Sequence, residues 1–171
     1  LEHRKQKEAG YLAMLNECRG LIVSLCSVHS VHLDCGFEDI IQDINASLWQ
    51  SFDSFRGESS RSTWAYRVAL NTIYLHYRKQ NHSPNTVHLT AEHLNTIPDR
   101  QDSELINQLY QLIELLPTDD RSLITMYLEH IPQKEIGVVL GVSEDVVNYR
   151  INKIKKKLKS LNDNENRKIR H

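Results

Sequence analysis

The stretch that most constrains this chain is IPQKEIGVVLGVSEDVVNYRINKIKKKLKSL, residues 131–161, where two helical periods meet with almost nothing between them. Pro132 opens a short segment whose core candidates are Ile136, Val139 and Leu140, and Gly141 stands where a left-handed residue ends a helix. Ser143 then supplies a hydroxyl N-cap, followed by Glu144 and Asp145 in the turn that favours negative charge. Beyond it Val147, Ile151, Ile154, Leu158 and Leu161 step by four, three, four and three residues, so they share one face. Upstream, Leu123, Ile124, Tyr127 and Leu128 recur at helical spacing behind Asp119 and Asp120. Residues 119–161 are therefore expected to form a compact helical trio whose last two members are a helix-turn-helix.

At about 100° per residue, the side of the last helix opposite its apolar stripe presents Tyr149, Asn152, Lys153 and Lys156, flanked by Asn148 and Arg150. From Ser143 onward there are nine Lys and Arg against four Asp and Glu, inside a chain of formal net charge −1. A local cationic face on a near-neutral chain fits an anionic partner. The second helix of such a unit lies in the DNA major groove, where Asn pairs with adenine, Lys with guanine, and neighbouring lysines meet phosphate.

The chain has 171 residues, with six Gly and four Pro, and few alternating β-branched runs. That composition predicts an all-α protein of one domain or two small ones. No apolar run reaches the ~18 residues of a membrane span and no signal-peptide pattern opens the sequence, so a cytoplasmic location without membrane insertion is expected. The first residue is Leu, and Leu1 and Glu2 are expected to fall outside the fold. Three cysteines, Cys18, Cys26 and Cys35, make an odd number suited to a reducing compartment. Cys26, His29, His32 and Cys35 are spaced as metal ligands sometimes are, but on a continuous helix each step drifts by about 60°, which spreads the four over half the cylinder. Core thiols and exposed histidines are expected instead, with no metal and no cofactor.

In chain order, a helix is expected from residue 7 to residue 32, with Leu12, Leu15, Ile22 and Leu25 inward, and a break at Asp34, Cys35 and Gly36. A second helix, residues 37–52, carries the stripe Phe37, Ile40, Ile44, Leu48 and Phe52. Its other side holds Asp39, Gln42, Asp43 and Gln50, with no basic residue from 38 to 53, a face that repels DNA and suits a protein partner. The character then reverses. Arg56, Arg61, Arg67, Arg78 and Lys79 face a single acid, Glu58, and are interleaved with Phe55, Trp64, Tyr66, Tyr74 and Tyr77. Cations with rings suit single-stranded nucleic acid, the rings stacking on unpaired bases. Trp64, Val68 and Leu75 are expected in the core, Phe55 in a loop ahead of a helix that Ser59 and Ser60 introduce near Arg61. Residues 80–102, polar and containing Pro84 and Pro98, read as a flexible linker. Leu105, Ile106, Leu109, Leu112, Ile113 and Leu116 predict a further helix stopped by Pro117, and residues 162–171 a disordered tail.

The run DIIQDINASLWQSFDSFRGESSRSTWAYRVALN, residues 39–71, resembles the second region of bacterial RNA polymerase sigma factors of the extracytoplasmic-function subgroup. The run LPTDDRSLITMYLEHIPQKEIGVVLGVSEDVVNYRINKIKKKL, residues 116–158, is similar to the fourth region of the same subgroup. The likeness spans about residues 12–79 and 105–161 in the family's order. It implies that Asp39, Gln42 and Asp43 dock on the clamp helices of the largest subunit of core RNA polymerase. It implies also that the loop from 55 to 62 captures a flipped base of the minus-ten element, with Phe55, Arg56, Ser59, Ser60, Arg61, Arg67 and Asn71 in contact with DNA. Asn148, Tyr149, Asn152 and Lys153, with Arg150 and Lys156 beside them, fall at the positions that face the minus-thirty-five element. A cognate anti-sigma factor is implied as a partner. The sequence departs from the family at Asn45, where Phe is usual, Arg61, where an aromatic is common, Leu70, where Arg is frequent, and Gly137, where Ala is usual.

The chain is thus expected to be two small helical domains, residues 7–79 and 103–161, joined by the linker at 80–102, acting as a transcription initiation factor on promoter DNA. The other reading is a stand-alone helix-turn-helix regulator whose N-terminal half senses or dimerises. An enzyme is not expected: there is no phosphate loop, zincin helix or nucleophile elbow, and His76, His82 and His88 lie in unlike contexts.

Overall fold

The computed structural model describes residues 2–81 and 104–168. Among them the regular structure is helical throughout, with no strand. Contacts divide the chain into two units, Leu1–Thr96 and Ile97–His171. The expected linker lies almost wholly outside the described residues; residues 80 and 81 form the last turn of a helix.

The first unit is built from α1 (Glu2–Ser30), α2 (Phe37–Ser51), a 3-10 turn (Phe52–Ser54) and α3 (Arg61–Asn81). The helix α1 starts at Glu2, earlier than expected, and inserts Met14, Cys18, Leu21, Ile22 and Leu25 into the core while Leu12 stays 58% exposed. By length and composition Arg4–Ser30 is apolar enough to cross a bilayer, which corrects the expectation that no segment qualified. Half of that window is buried against the rest of the unit, and its polar groups are satisfied inside: Ser27 Oγ donates to Val23 O at 2.8 Å, and buried His29 Nδ1 lies 3.2 Å from Tyr77 Oη. On α2, Ile40, Ile44 and Leu48 are fully buried, each contributing about 1.5–3 kcal/mol. The Asp39 carboxylate accepts from the Gly36 N–H at 3.3 Å, capping the helix it belongs to. On α3 the inward residues are Thr63, Ala65, Tyr66, Ala69, Leu70, Thr72 and Ile73. Tyr66, expected among the exposed rings, is fully buried, and Leu75, expected in the core, is 48% exposed, because Leu75 continues the outward side of α3 that carries Trp64 and Asn71. Leu70, where the family favours Arg, is core at 3% exposure.

The second unit contains α4 (Glu104–Glu114), α5 (Thr118–Leu128), α6 (Gln133–Leu140) and α7 (Glu144–Lys168). Pro132 precedes α6, and Gly141 ends it in the left-handed region at φ 69°, ψ 32°, as the sequence predicts. Ser143 Oγ accepts from the Val146 N–H at 3.4 Å to start α7. Val147, Ile151, Ile154 and Leu158 are buried and Leu161 is half-buried; on α6, Ile136 is buried while Val139 and Leu140 are only partly covered. The helix α7 runs on to Lys168, so residues 162–168 are not the disordered tail expected. Neither Gly nor Pro occurs after Ser143 to break it.

Gly137 is where the turn closes on α6. A Cβ there would stand 2.6 Å from the Val142 carbonyl oxygen, and the Val142 N–H donates to Gly137 O at 2.9 Å, so both sides of the approach are backbone. Gly137→Ala recovers about 1 kcal/mol of helix propensity but forces a turn shift of the kind that costs about 1–3 kcal/mol. The expected result is a net loss of about 1 kcal/mol, read as a lower urea midpoint for the second unit. An unchanged or raised midpoint would show that the turn yields freely.

Candidate nucleic-acid interface

The loop between the 3-10 turn and α3 places a ring beside a cationic helix side. Phe55 ends the 3-10 turn in an extended conformation, φ −68°, ψ 114°, and its ring centroid lies 5.4 Å from that of Trp64 at an interplanar angle of 53°. Both rings are half-buried, so one edge of the pair is open to solvent. Ser60 is occupied as the N-cap of α3: its Oγ accepts from the Thr63 N–H at 3.1 Å and sits 2.7 Å from Thr63 Oγ1. Arg56, Arg61 and Asn71 are exposed, Ser59 and Arg67 half-buried. Arg61, Trp64, Arg67 and Asn71 share one side of α3, continuous in sequence with the Phe55 loop. Arg61 also lies 3.8 Å from Glu17 on α1, both half-exposed, a pair too open to hold it firmly. Trp64 had been expected in the core; its pairing with Phe55 has no signal in the helical period.

The opposite charge lies on α2. Asp39, Gln42 and Asp43 are all exposed at i, i+3 and i+4 on one face. Asp43 is not entirely free there, because its Oδ2 is 3.0 Å from His76 Nε2 on α3. The side chain of that histidine is 14% exposed.

On α7, Asn148, Tyr149, Asn152, Lys153 and Lys156 are exposed, Tyr149 at 69%. Arg150, expected among the DNA contacts, instead turns back to α5. Its Nε and Nη2 both donate to Asp120 Oδ1, at 3.2 and 2.5 Å, and each side chain of the pair is only 26% exposed. Lys155 is likewise engaged, its Nζ 2.8 Å from Tyr127 Oη and 4.4 Å from the ring centroid. The exposed polar side of α7 is narrower than the sequence indicated, with Arg150 and Lys155 drawn onto α5.

The spacing Cys26, His29, His32, Cys35 does not come together as one site. Cys26 and His29 are buried in the core of α1, which corrects the expectation that the histidines are exposed; His32 is exposed, and Cys35 is half-buried in the α1–α2 connection. Burial pushes the Cys26 thiol up to about 12 and that of Cys18 to about 11.

Comparison with known proteins agrees with both units. The model for sigma-70 region 2 matches residues 15–83, and that for sigma-70 region 4 matches residues 106–158, together well over half of the chain. The chain is 28% identical over 150 residues to an ECF RNA polymerase sigma-E factor of Haemophilus influenzae, a match covering 80% of this chain and 76% of that one. It is 29% identical over 127 residues to the protein so named in Escherichia coli strain K12, covering 66% of either chain. Among solved structures, the sigma factor RpoE in complex with the anti-sigma factor NepR from Bartonella quintana superposes with a TM-score of 0.68 at 21% identity, over 95% of this chain and 98% of that one. CnrH in complex with the cytosolic domain of CnrY gives 0.66 at 20% identity, over 91% and 89%. Two helical units, a paired-ring loop on a cationic helix and a helix-turn-helix, matched in order by both regional models, have one reading: the chain belongs to the sigma-70 family and is an RNA polymerase sigma factor of the extracytoplasmic-function group.

Proposed function

We propose that this sigma factor acts in the cytoplasm, binds core RNA polymerase through Asp39, Gln42 and Asp43 against the clamp helices of the largest subunit, and grips a promoter at two points. Asn148, Tyr149, Asn152, Lys153 and Lys156 read the upstream element in the major groove. Phe55 and Trp64 receive a base flipped from the minus-ten element, while Arg56, Arg61, Arg67 and Asn71 follow the melted strand. Arg150 is left out of the reading set, since its guanidinium belongs to Asp120. The observation that carries the proposal is the opposition of surfaces within the first unit: an exposed acidic face on α2, and on α3 a cationic side with paired rings. A stand-alone regulator has no use for either. The solved relatives bound to anti-sigma factors support a partner of that kind here.

Purified protein with core polymerase and a set of genomic promoter fragments should give promoter-specific transcripts and a stable complex with core; neither appearing would sink the proposal. Lys153→Ala is expected to weaken binding to the preferred upstream element by about 1 kcal/mol, since a Lys reads as a point donor at the low end of the range for base contacts. Competition with base-substituted duplexes checks it. A loss equal on every sequence would make Lys153 a phosphate contact.

A further inference from the structure

Cys35 is the half-buried cysteine of three, the other two being buried. Its Sγ lies 3.4 Å from His76 Nδ1, and the far nitrogen of that ring, Nε2, lies 3.0 Å from Asp43 Oδ2. Three separate elements, the α1–α2 connection, α3 and α2, bring sulfur, imidazole and carboxylate together in that order. This is the arrangement in which a thiol gives its proton to a base whose other nitrogen an acid orients. Among the described residues no group of three or more side chains is placed to hold a metal ion, so the cluster is not a metal site. Neither Cys35 nor His76 has a part in the promoter grip.

We propose that Cys35 is a site of reversible S-thiolation, converted by hydrogen peroxide and a low-molecular-weight thiol to a mixed disulfide that weakens docking through the neighbouring α2 face. In the first step the Sγ proton passes to His76 Nδ1 as the sulfur electron pair attacks one peroxide oxygen. The O–O bond breaks, and the departing hydroxide takes the proton from the imidazolium and leaves as water. Sulfur is oxidised to the sulfenic acid and peroxide is reduced. In the second step the sulfur of the small thiol attacks the sulfenic sulfur; the S–O bond breaks and the hydroxyl leaves with the thiol proton as a second water. Burial pushes the Cys35 thiol up, a backbone hydrogen bond draws it part of the way back, and the charges of Asp39, Asp43 and Asp34 add to the rise. The resting group is therefore the protonated thiol, and its reaction depends on His76 as proton acceptor, not on a standing thiolate. The adduct replaces the thiol hydrogen that faces His76 Nδ1 with a bulky disulfide beside the ring, and that disturbs the contact of His76 with Asp43. The consequence for docking rests on the reading of Asp39, Gln42 and Asp43 as the polymerase contact.

The test treats the reduced full chain with hydrogen peroxide and glutathione and reads each cysteine by peptide mass spectrometry. The adduct is expected on Cys35 and absent from Cys18 and Cys26, reversed by dithiothreitol and lost in Cys35→Ser. His76→Gln should slow sulfenic acid formation at Cys35 at least about tenfold, and Asp43→Asn, which keeps the ring but releases its far nitrogen, should slow it in the same sense. Cys35 reacting no faster than Cys18, or at an unchanged rate in both variants with their helicity intact, would overturn the site. For the docking consequence, thiolated wild type should bind core polymerase at least about tenfold more weakly than reduced wild type, while Cys35→Ser is indifferent to the same treatment. Equal binding of thiolated and reduced protein would overturn that consequence. If reduced protein fails to bind core at all, the docking reading falls, and the modification is still decided by the mass spectra.

Discussion

Phe55→Ala is expected to leave binding to double-stranded promoter DNA nearly unchanged and to lower strand opening by roughly ten- to a hundredfold. Extruding a base costs a few kcal/mol, and stacking on an aromatic ring returns about 1–3 kcal/mol per base. In the proposed promoter grip, Phe55 makes that exchange. It sits in an extended segment just outside the 3-10 turn, half-buried, with Trp64 behind it at 5.4 Å to limit its motion. Removing the ring takes away the stacking partner but none of the fully buried core residues, and the cations Arg56 and Arg61 remain to meet phosphate. The loss therefore belongs to the melted state. Fluorescence of a 2-aminopurine placed in the minus-ten element, set beside a gel-shift titration of the closed duplex, separates the two. Equal losses in both measurements would mean that Phe55 positions the loop and does not receive a base.

Much of this was legible in the sequence wherever one helix carries its own information. The stripe from Val147 to Leu158 is a local 3.6-residue period, and the Pro132, Gly141 and Ser143 punctuation is set by backbone chemistry at single positions, so the helix-turn-helix was readable outright. What failed to show were matters settled by a neighbour distant in sequence. Arg150 looks like one more cation on a cationic helix until Asp120, thirty residues earlier, appears beside it. Tyr66 and Leu75 exchange their expected places because which side of α3 is covered depends on how α1 and α2 pack against it. Cys35 was grouped with Cys26 and His29 by spacing, yet its partner is His76, which the spacing does not reach. The far end of α7 was missed for a different reason: a polar composition resembles a tail, but nothing in residues 162–168 stops a helix already under way.

Arg150→Ala is expected to destabilise the second unit by about 2–3 kcal/mol, somewhat below the 3–5 kcal/mol of a fully buried ion pair because each partner is about a quarter exposed. The guanidinium donates twice to one carboxylate oxygen, so its removal leaves the part-buried Asp120 carboxylate without the hydrogen bonds that offset its desolvation. The pair also fixes α7 against α5 midway between Val147 and Ile154, at the flank of the face that carries Tyr149 and Lys153, so its loss loosens the proposed reading face without touching DNA. The two tryptophans, Trp49 and Trp64, both lie in the first unit, so their fluorescence is blind to this change while hydrogen exchange is not. Amides of α5 and α7 should lose protection, those of α1 to α3 should keep it, and upstream-element affinity should fall on all sequences alike. Asp120→Ala should reproduce most of the effect, and the double variant should lose less than the two single losses added together, which is the signature of a shared contact. Protection unchanged in α7, with affinity lost only on the preferred sequence, would return Arg150 to the DNA-reading set and free Asp120 of its structural role.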